Sequence, residues 1–392
     1  MPITYQLNLR ISVPGNSPSP PLLYTDTTRS PDALYFGQVT IPDPFIAFSL
    51  RGKKYAIVSA LEFGRVRKTS DFDSVLPLEE YLRRARVFWP ERKIGPAEVI
   101  VLAAQDYGQR RFTVPEDFPA AIYQKLTGLG LELAIADGPL FPSREIKTPT
   151  EIAAIREGNH CSALGFAAAE LILRTAKVKG RQLHHRGKIL TSETLKFAIE
   201  VACLEAGAVS ANTIVAGGDQ ACDPHERGTG PLRAHELIII DIFPRVTRTG
   251  FHGDMTRTFL RGRANEAQRG LVDAVRSAQI AATKSIRAGV NGRFIHNLVV
   301  QEFLRRGFAT RHTPKGSTGF FHSTGHGLGL AVHEMPKISG AVDCLLPENA
   351  VVTVEPGLYY PGLGGCRIED VVQVTPTSSR LLSRYHYQWE LT

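Results

Sequence analysis

The stretch Leu237–Phe259, LIIIDIFPRVTRTGFHGDMTRTF, constrains the fold more than any other part of the chain. Leu237–Ile240 is a continuous apolar run, short enough to be a strand buried on both faces. It ends on Asp241, where a carboxylate is costly to bury unless it is paired or holds a cation. A second carboxylate, Asp254, follows beyond a turn-forming segment. Opposite residues of an antiparallel hairpin have a constant sum of numbers. The odd separation of Asp241 and Asp254 therefore lets them stand directly opposite, about a centre at Thr247 and Arg248. Opposed side chains share a face of the sheet. Two carboxylates held side by side repel each other, and a cation between them removes that cost. A hairpin with two solvated acids is the plainer reading of such a pair. Residues further along the chain weigh against it.

A chain of 392 residues has room for two domains with ordinary cores. Apolar residues at 43% and charged residues at 21% suit a soluble globular protein. The net charge of +8 would favour acidic partners. The basic run Arg83-Arg84-Ala85-Arg86 is short and lacks interleaved aromatics, so it reads as a solvated helix face, and no nucleic-acid partner is expected. The cysteines Cys161, Cys203, Cys222, Cys344 and Cys366 are odd in number and show no CxxC spacing, which leads to the expectation of reduced thiols in a cytoplasmic protein. The opening MPITYQLNLRISVPG lacks the basic-then-apolar pattern of a signal peptide. No apolar run approaches the ~18 residues that span a bilayer, so no membrane association is expected.

Residues 1–142 read as an α/β domain. A Pro/Ser-rich loop at Asn16–Pro21 precedes short apolar runs at Ala33–Phe36, Phe45–Leu50 and Tyr55–Val58, the last two flanking a turn at Arg51-Gly52-Lys53-Lys54. Helical spacing covers Val75–Val87 and Phe118–Leu126. Val99–Ala104 reads as a buried strand, and Leu131–Ala136 as another. This half carries no nucleophile, phosphate loop or metal cluster. Pro139–Lys147 reads as a linker, and residues 148–392 as a second domain. Thr148, Pro149 and Glu151 form a capping box that opens a long amphipathic helix. A second helix covers about Ser192–Ala206. Two more, about Asn265–Ala288 and Gly292–Arg306, follow the hairpin and run up to Gly289 and Gly307. Two helices on each side of the hairpin suggest an internal duplication, without a residue-level repeat.

Four further stretches supply polar groups. IVAGGDQACDPHERGTG places His225 in a Gly/Pro-rich loop. FHSTGHGLGLAVHE holds His322, His326 and His333, and its glycines exclude the single helical face of a zincin-like pair while permitting close backbone approach to a ligand. AVVTVEPG ends a strand on Glu355. GGCRIEDVVQV sets Arg367 and Glu369 two apart, on one face of a strand. Singly, each is as readily a surface loop or a salt bridge. Together, Asp241, Asp254, His326, Glu355 and Glu369 give four carboxylates and one imidazole. That donor set suits Mn²⁺, Co²⁺, Fe²⁺ or Zn²⁺. Several carboxylates able to bridge suggest two ions.

The motifs IIIDIF…HGDMTRTF, FHSTGHGLGLAVHE, VEPG and RIED closely resemble those of the pita-bread metallopeptidases, across about residues 145–375. The N-terminal region is similar to the smaller α/β domain of the aminopeptidase P, prolidase and creatinase branch. The resemblance implies a two-domain fold, with a creatinase-like α/β domain ahead of a pita-bread α+β domain built on a curved antiparallel sheet. It implies a dinuclear site with manganese foremost: Asp241 on one ion, His326 and Glu355 on the other, Asp254 and Glu369 bridging. Glu355 would also take a proton from the water between the ions. His225 and His333 would contact the scissile carbonyl and the substrate, His322 would support them or relay protons, and Arg367 would orient Glu369. The implied activity is hydrolysis of the bond before proline by a metal-bridging hydroxide, on Xaa-Pro dipeptides or N-terminal Xaa-Pro peptides, in a homodimer. HEMP after His333 looks like the aminopeptidase P and prolidase branch. The alternatives are another small C–N hydrolase of creatinase type and a non-catalytic binding module. The hairpin is two residues longer than is usual in the family. Its odd parity is unchanged, and Pro244 predicts a break or bulge in its ladder.

Overall fold

The structure, a computed structural model, describes residues 19–314 and 316–392. The N-terminal stretch without a leader pattern lies outside them, as do the first three residues of the Pro/Ser-rich loop. The chain divides into two compact units, Met1–Pro142 and Ser143–Thr392.

In the first unit Leu22–Thr25, Phe45–Leu50, Lys53–Val58 and Ser74–Pro77 pair in that order, the last two in parallel. The hairpin turn is only Arg51-Gly52, both at positive φ, as a two-residue turn matched to strand twist requires. The helices are α1 (Pro31–Gly37), α2 (Ala60–Thr69), α3 (Leu78–Phe88), α4 (Pro96–Asp106) and α5 (Ala120–Gly128). The apolar run Ala33–Phe36 lies in α1, capped by Ser30. Two expectations change here. Ser74–Pro77 leaves the helical-looking Val75–Val87 as a strand before α3 begins. Val99–Ala104 is not a strand but the middle of α4, where every residue from Ala97 to Ala104 is buried. A helix apolar on all sides has no polar stripe to reveal its period. Its start was nevertheless written in the sequence: Pro96 takes the first turn, and the Glu98 carboxylate accepts from Gly95 N at 2.9 Å.

The second unit opens with α6 (Pro149–Thr175). Thr148 Oγ1 accepts from Glu151 N, and Glu151 Oε2 accepts from Thr148 N, closing the capping box. With α7 (Ser192–Glu205), α6 covers a sheet ordered Ile214–Gly217, Ile238–Ile242, Met255–Arg261 and Glu390–Leu391. Phe166, Leu195 and Ile199 pack there on Ile238, Ile240 and Phe259. Helices α8 (Glu266–Ser285) and α9 (Gly292–Arg305) line a second core with Val352, Val354 and Val372. These valines belong to a sheet ordered Glu334–Ile338, Gly325–Gly327, Val351–Val354, Asp370–Val374 and Ser379–Leu381. Each half is thus a helix pair on a sheet, the two-plus-two pattern suggested by the sequence. α8 stops at Ser285, three residues short of the expected end.

The hairpin register corrects the expected one. Asp241 stands opposite Thr256 and Ile242 opposite Met255, with Arg245 bridging His252. The pivot is therefore Arg248 and Thr249, one residue later than read. Pro244 has no N–H to give, and the ladder stops at Ile242; Arg245–Val246 pairs with Ala208–Val209 instead. Gly250, at φ 77°, closes the turn by donating to Val246 O. Asp254 lies two residues before Thr256. It therefore faces the same side as Asp241, but diagonally.

Candidate metal centre

Strand ends from both sheets meet at a cavity of about 640 Å³. Asp241, Asp254, His326, Glu355 and Glu369 all line it, with His225, His322, His333, Lys337 and Arg367. Asp254 is fixed from outside its hairpin. Its N–H donates to Asn159 Oδ1 on α6 at 3.0 Å. There α6 and the hairpin touch backbone to backbone: a Cβ on Gly158 would lie 2.3 Å from Gly253 N. The glycines beside His326 serve neighbouring backbone rather than a ligand. A Cβ on Gly325 would lie 2.0 Å from Thr353 O, and one on Gly327 2.1 Å from Met335 O. This lets the short strand carrying His326 slot between two others.

Polar atoms of Asp254, His326 and Glu369, all buried, lie within 4.8 Å of one another. His326 Nε2 is 3.8 Å from Asp254 Oδ2 and 3.2 Å from Glu355 Oε1. Its Nδ1 faces Gly327 O at 3.1 Å and must donate there, leaving Nε2 aimed at the carboxylates. Asp241 makes a 2.7 Å ion pair with Arg367 through Oδ2, while its buried Oδ1 has no hydrogen-bond partner. Arg367 also donates to Tyr359 Oη at 3.0 Å and Thr256 Oγ1 at 3.3 Å. It engages Asp241 rather than Glu369, contrary to expectation. Glu369 accepts from Thr256 Oγ1 at 2.8 Å.

Crowding sets the protonation of this group. Burial pushes the Asp254 carboxyl far above its ordinary pKa, and the neighbouring Asp241 adds to the rise. Burial does the same to Glu369, reinforced by Asp254, Glu355 and Asp241. Burial also raises Asp241, against the opposing pull of Arg367. Glu355 differs: burial raises it, but the hydrogen bond and charge of His326 outweigh that and hold it at about 2. Burial lowers both His322 and His333 to about 4.

The other histidines are arranged at different depths. His322 Nδ1 lies 2.8 Å from Ser323 O and must donate to it, so Nε2 accepts from Tyr359 Oη at 2.9 Å. A directed chain thus runs from Arg367 through Tyr359 to His322. His333 is exposed, with its ring edge-on to His326 at 4.3 Å between centroids. His225 is exposed on the cavity wall. Sequence reasoning missed Thr256, Tyr359, Lys337 and Asn159. Thr256 was within reach, because it lies two residues beyond Asp254 on the same strand face. The donor set fits divalent cations: four carboxylates are packed around one imidazole nitrogen, and an orphaned Asp241 oxygen lies buried among them.

The chain belongs to metallopeptidase family M24, whose profile matches residues 153–376, more than half of the chain. It is 32% identical over 174 residues to the Xaa-Pro dipeptidase of Pyrococcus furiosus, covering 44% of this chain and 47% of that protein. It is 31% identical over 258 residues to the putative dipeptidase YkvY of Bacillus subtilis, covering 65% of each. The match thus spans about half to two thirds of these relatives. The structure resembles that of the Xaa-Pro dipeptidase from Bacillus anthracis, with a TM-score of 0.79 at 20% identity over 95% of both chains. The fold is therefore the expected one, a smaller α/β unit followed by a pita-bread unit.

Proposed function

We propose that this chain is a metal-dependent peptidase that cleaves the bond before proline in Xaa-Pro dipeptides or N-terminal Xaa-Pro peptides. The observation that carries this is the convergence of Asp241, Asp254, His326, Glu355 and Glu369 in one cavity beside three further histidines. The relatives named Xaa-Pro dipeptidase and dipeptidase support the substrate class. Asp241 would hold one ion, His326 and Glu355 the other, with Asp254 and Glu369 between them. Bound divalent ions would polarise the scissile carbonyl and make water acidic enough to attack near neutral pH.

The protein's own groups have distinct tasks in this reading. Glu355 would take a proton from the attacking water. His333 and His225 contact the peptide from the cavity wall. His322, neutral and oriented by Tyr359, supports them. Phe243, Phe321 and Val332 give the proline ring an apolar wall. Lys337, half-buried and lining the cavity, offers a positive charge to a substrate carboxylate, which favours dipeptides.

Manganese is the ion we favour, within a set that also admits cobalt, iron and zinc. A cytoplasmic setting agrees with five free thiols, two of them only partly buried. No helix among the described residues is long and apolar enough to cross a membrane. A homodimer would give cover to an apolar face on α6 and α7, where Leu171, Phe197 and Leu204 are 64%, 70% and 64% exposed.

The decisive experiment strips the protein of metal and restores Mn²⁺ or Co²⁺ before assay on Xaa-Pro dipeptides and longer Xaa-Pro peptides. Hydrolysis should vanish and return, with the dipeptides preferred. Metal-loaded protein that leaves every Xaa-Pro substrate intact sinks the proposal. Neither the creatinase-type reading nor the binding module draws support from the relatives or from the complete ligand set.

A further inference from the structure

The residue after His333 carries an arrangement that the proposed chemistry does not use. The Glu334 side chain is only 10% exposed, yet it sits between two cations. Its Oε1 accepts from Lys147 Nζ at 2.6 Å, and its Oε2 accepts from Arg144 at 2.5 Å. The Lys147 side chain is 2% exposed and also donates to Arg144 O. Both cations come from the short segment just ahead of α6, nearly 190 residues away in sequence.

Segment 328–334 is curled around the same carboxylate. Ala331 N approaches Glu334 Oε2 at 3.4 Å, and a Cβ on Gly329 would lie 2.2 Å from Oε1. A side chain at position 329 would have to displace that carboxylate from its place. The turn is closed by Gly329 N donating to Ala331 O, and tied to the hairpin by His252 N donating to Gly329 O. Lys147 is itself pinned, since its N–H donates to Asn349 O just ahead of the strand that leads to Glu355.

A buried ion cluster adds little net stability over well-packed apolar residues of similar volume. What it adds is a fixed geometry. The group next to this one along the chain is His333, whose exposed ring stands against His326. We propose that Glu334, clamped by Lys147 and Arg144, is a positioning residue that holds the 328–334 turn so that His333 meets the substrate at a set angle and distance. The clamp rests on the reading of His333 as a substrate contact, and it acts without touching substrate or metal.

The test uses Glu334→Gln, Lys147→Met, the pair of both, and Lys147→Arg, each also combined with His333→Ala. Amide exchange across 328–334, metal uptake, and kcat and KM on an Xaa-Pro dipeptide are measured. In Glu334→Gln, exchange across the turn should speed up by about tenfold or more, and KM should rise severalfold with metal uptake unchanged. Lys147→Arg, which keeps the charge, should leave both close to wild type. In a His333→Ala background, Glu334→Gln should cost nothing further, because the two act through one group. Glu334→Gln leaves the buried Lys147 and the half-buried Arg144 without their carboxylate and could unfold the turn for that reason alone; the double change to Gln and Met also removes the fully buried cation and should fold while still loosening the turn. Unchanged exchange in the folded variants overturns the proposal, and so does a cost that adds fully to that of His333→Ala. If wild-type protein cleaves no Xaa-Pro bond, the function reading fails, and exchange across the turn still decides on the clamp.

Discussion

Asp241 and Asp254 are diagonal neighbours on one face of their hairpin, because Thr256 rather than Asp254 stands opposite Asp241. The two acids are therefore held by different hands. Asp241 is steered by Arg367, and Asp254 by Asn159. Thr256, opposite Asp241 and two residues past Asp254, ties in Glu369.

Four carboxylates crowded around one imidazole make the metal-free centre a strained one. Asp254→Asn should therefore raise the melting temperature of stripped protein by a few degrees, since an isosteric neutral group removes the repulsion. The same change should cut Xaa-Pro hydrolysis by more than about 100-fold and reduce metal content. Calorimetry with and without Mn²⁺, beside elemental analysis, reads both effects. Wild-type turnover in this variant would contradict the ligand assignment.

The contact between Gly158 and Gly253 leaves no space for a methyl group. A Cβ on Gly253 would lie 2.1 Å from the Gly158 carbonyl carbon, and backbone cannot swing aside as a side chain does. Gly253→Ala should cost about 3 kcal/mol of stability by overpacking. Denaturant unfolding at neutral pH checks this. A loss under about 0.5 kcal/mol would mean that the helix and hairpin separate easily.

Tyr359 joins Arg367 to His322 through a single hydroxyl. Tyr359→Phe keeps the ring and its burial but cuts the chain at that oxygen. We expect kcat to fall by about 10- to 100-fold, with metal content unchanged, as when support behind a metal ligand is removed. A kcat equal to wild type would show that His322 needs no orientation.

Away from the cavity, Glu302 gives a pH signature of stability. Burial pushes its carboxyl up, but hydrogen bonds from Arg306, Ser277 and Arg305 outweigh this and lower it from 4.5 to about 2. A depressed carboxyl stabilises the fold above its unfolded pKa, and that contribution drains away as pH falls from about 4.5 to about 2. Glu302→Gln should therefore melt below wild type at pH 7, and the gap should close across that window. A gap that stays constant down to pH 3 would show that the ion cluster contributes nothing specific.

Much of the centre was legible because its chemistry is unusual wherever it occurs. Apolar runs ending on acids, and three histidines among glycines, seldom coincide in one chain unless a cation draws them together. The face shared by Asp241 and Asp254 followed from parity alone, and survived a register shift that parity does not see. The register itself was not legible. It depends on Pro244 breaking the ladder and on α6 meeting Gly253, and that second contact joins residues about 95 positions apart. The α4 helix was misread for a related reason: with every face buried, its apolar period carries no sign of its shape. Tyr359 and Lys337 were missed because a lone tyrosine or lysine on a strand is commonplace, and only the fold brings Lys337 to the cavity and the Tyr359 hydroxyl between Arg367 and His322.

The backbone contact between α6 and the hairpin also sets an order of events. Asp254 takes its place only when Asn159, on a helix made far earlier in the chain, is there to receive its N–H. During synthesis α6 emerges before the hairpin that packs against it, and the contact between them spans 95 residues of sequence. Long-range closure of this kind is a slow step. Asp241 and Asp254 are made long before Glu355 and Glu369, so a growing chain cannot complete the acidic cluster until the last of these strands has emerged.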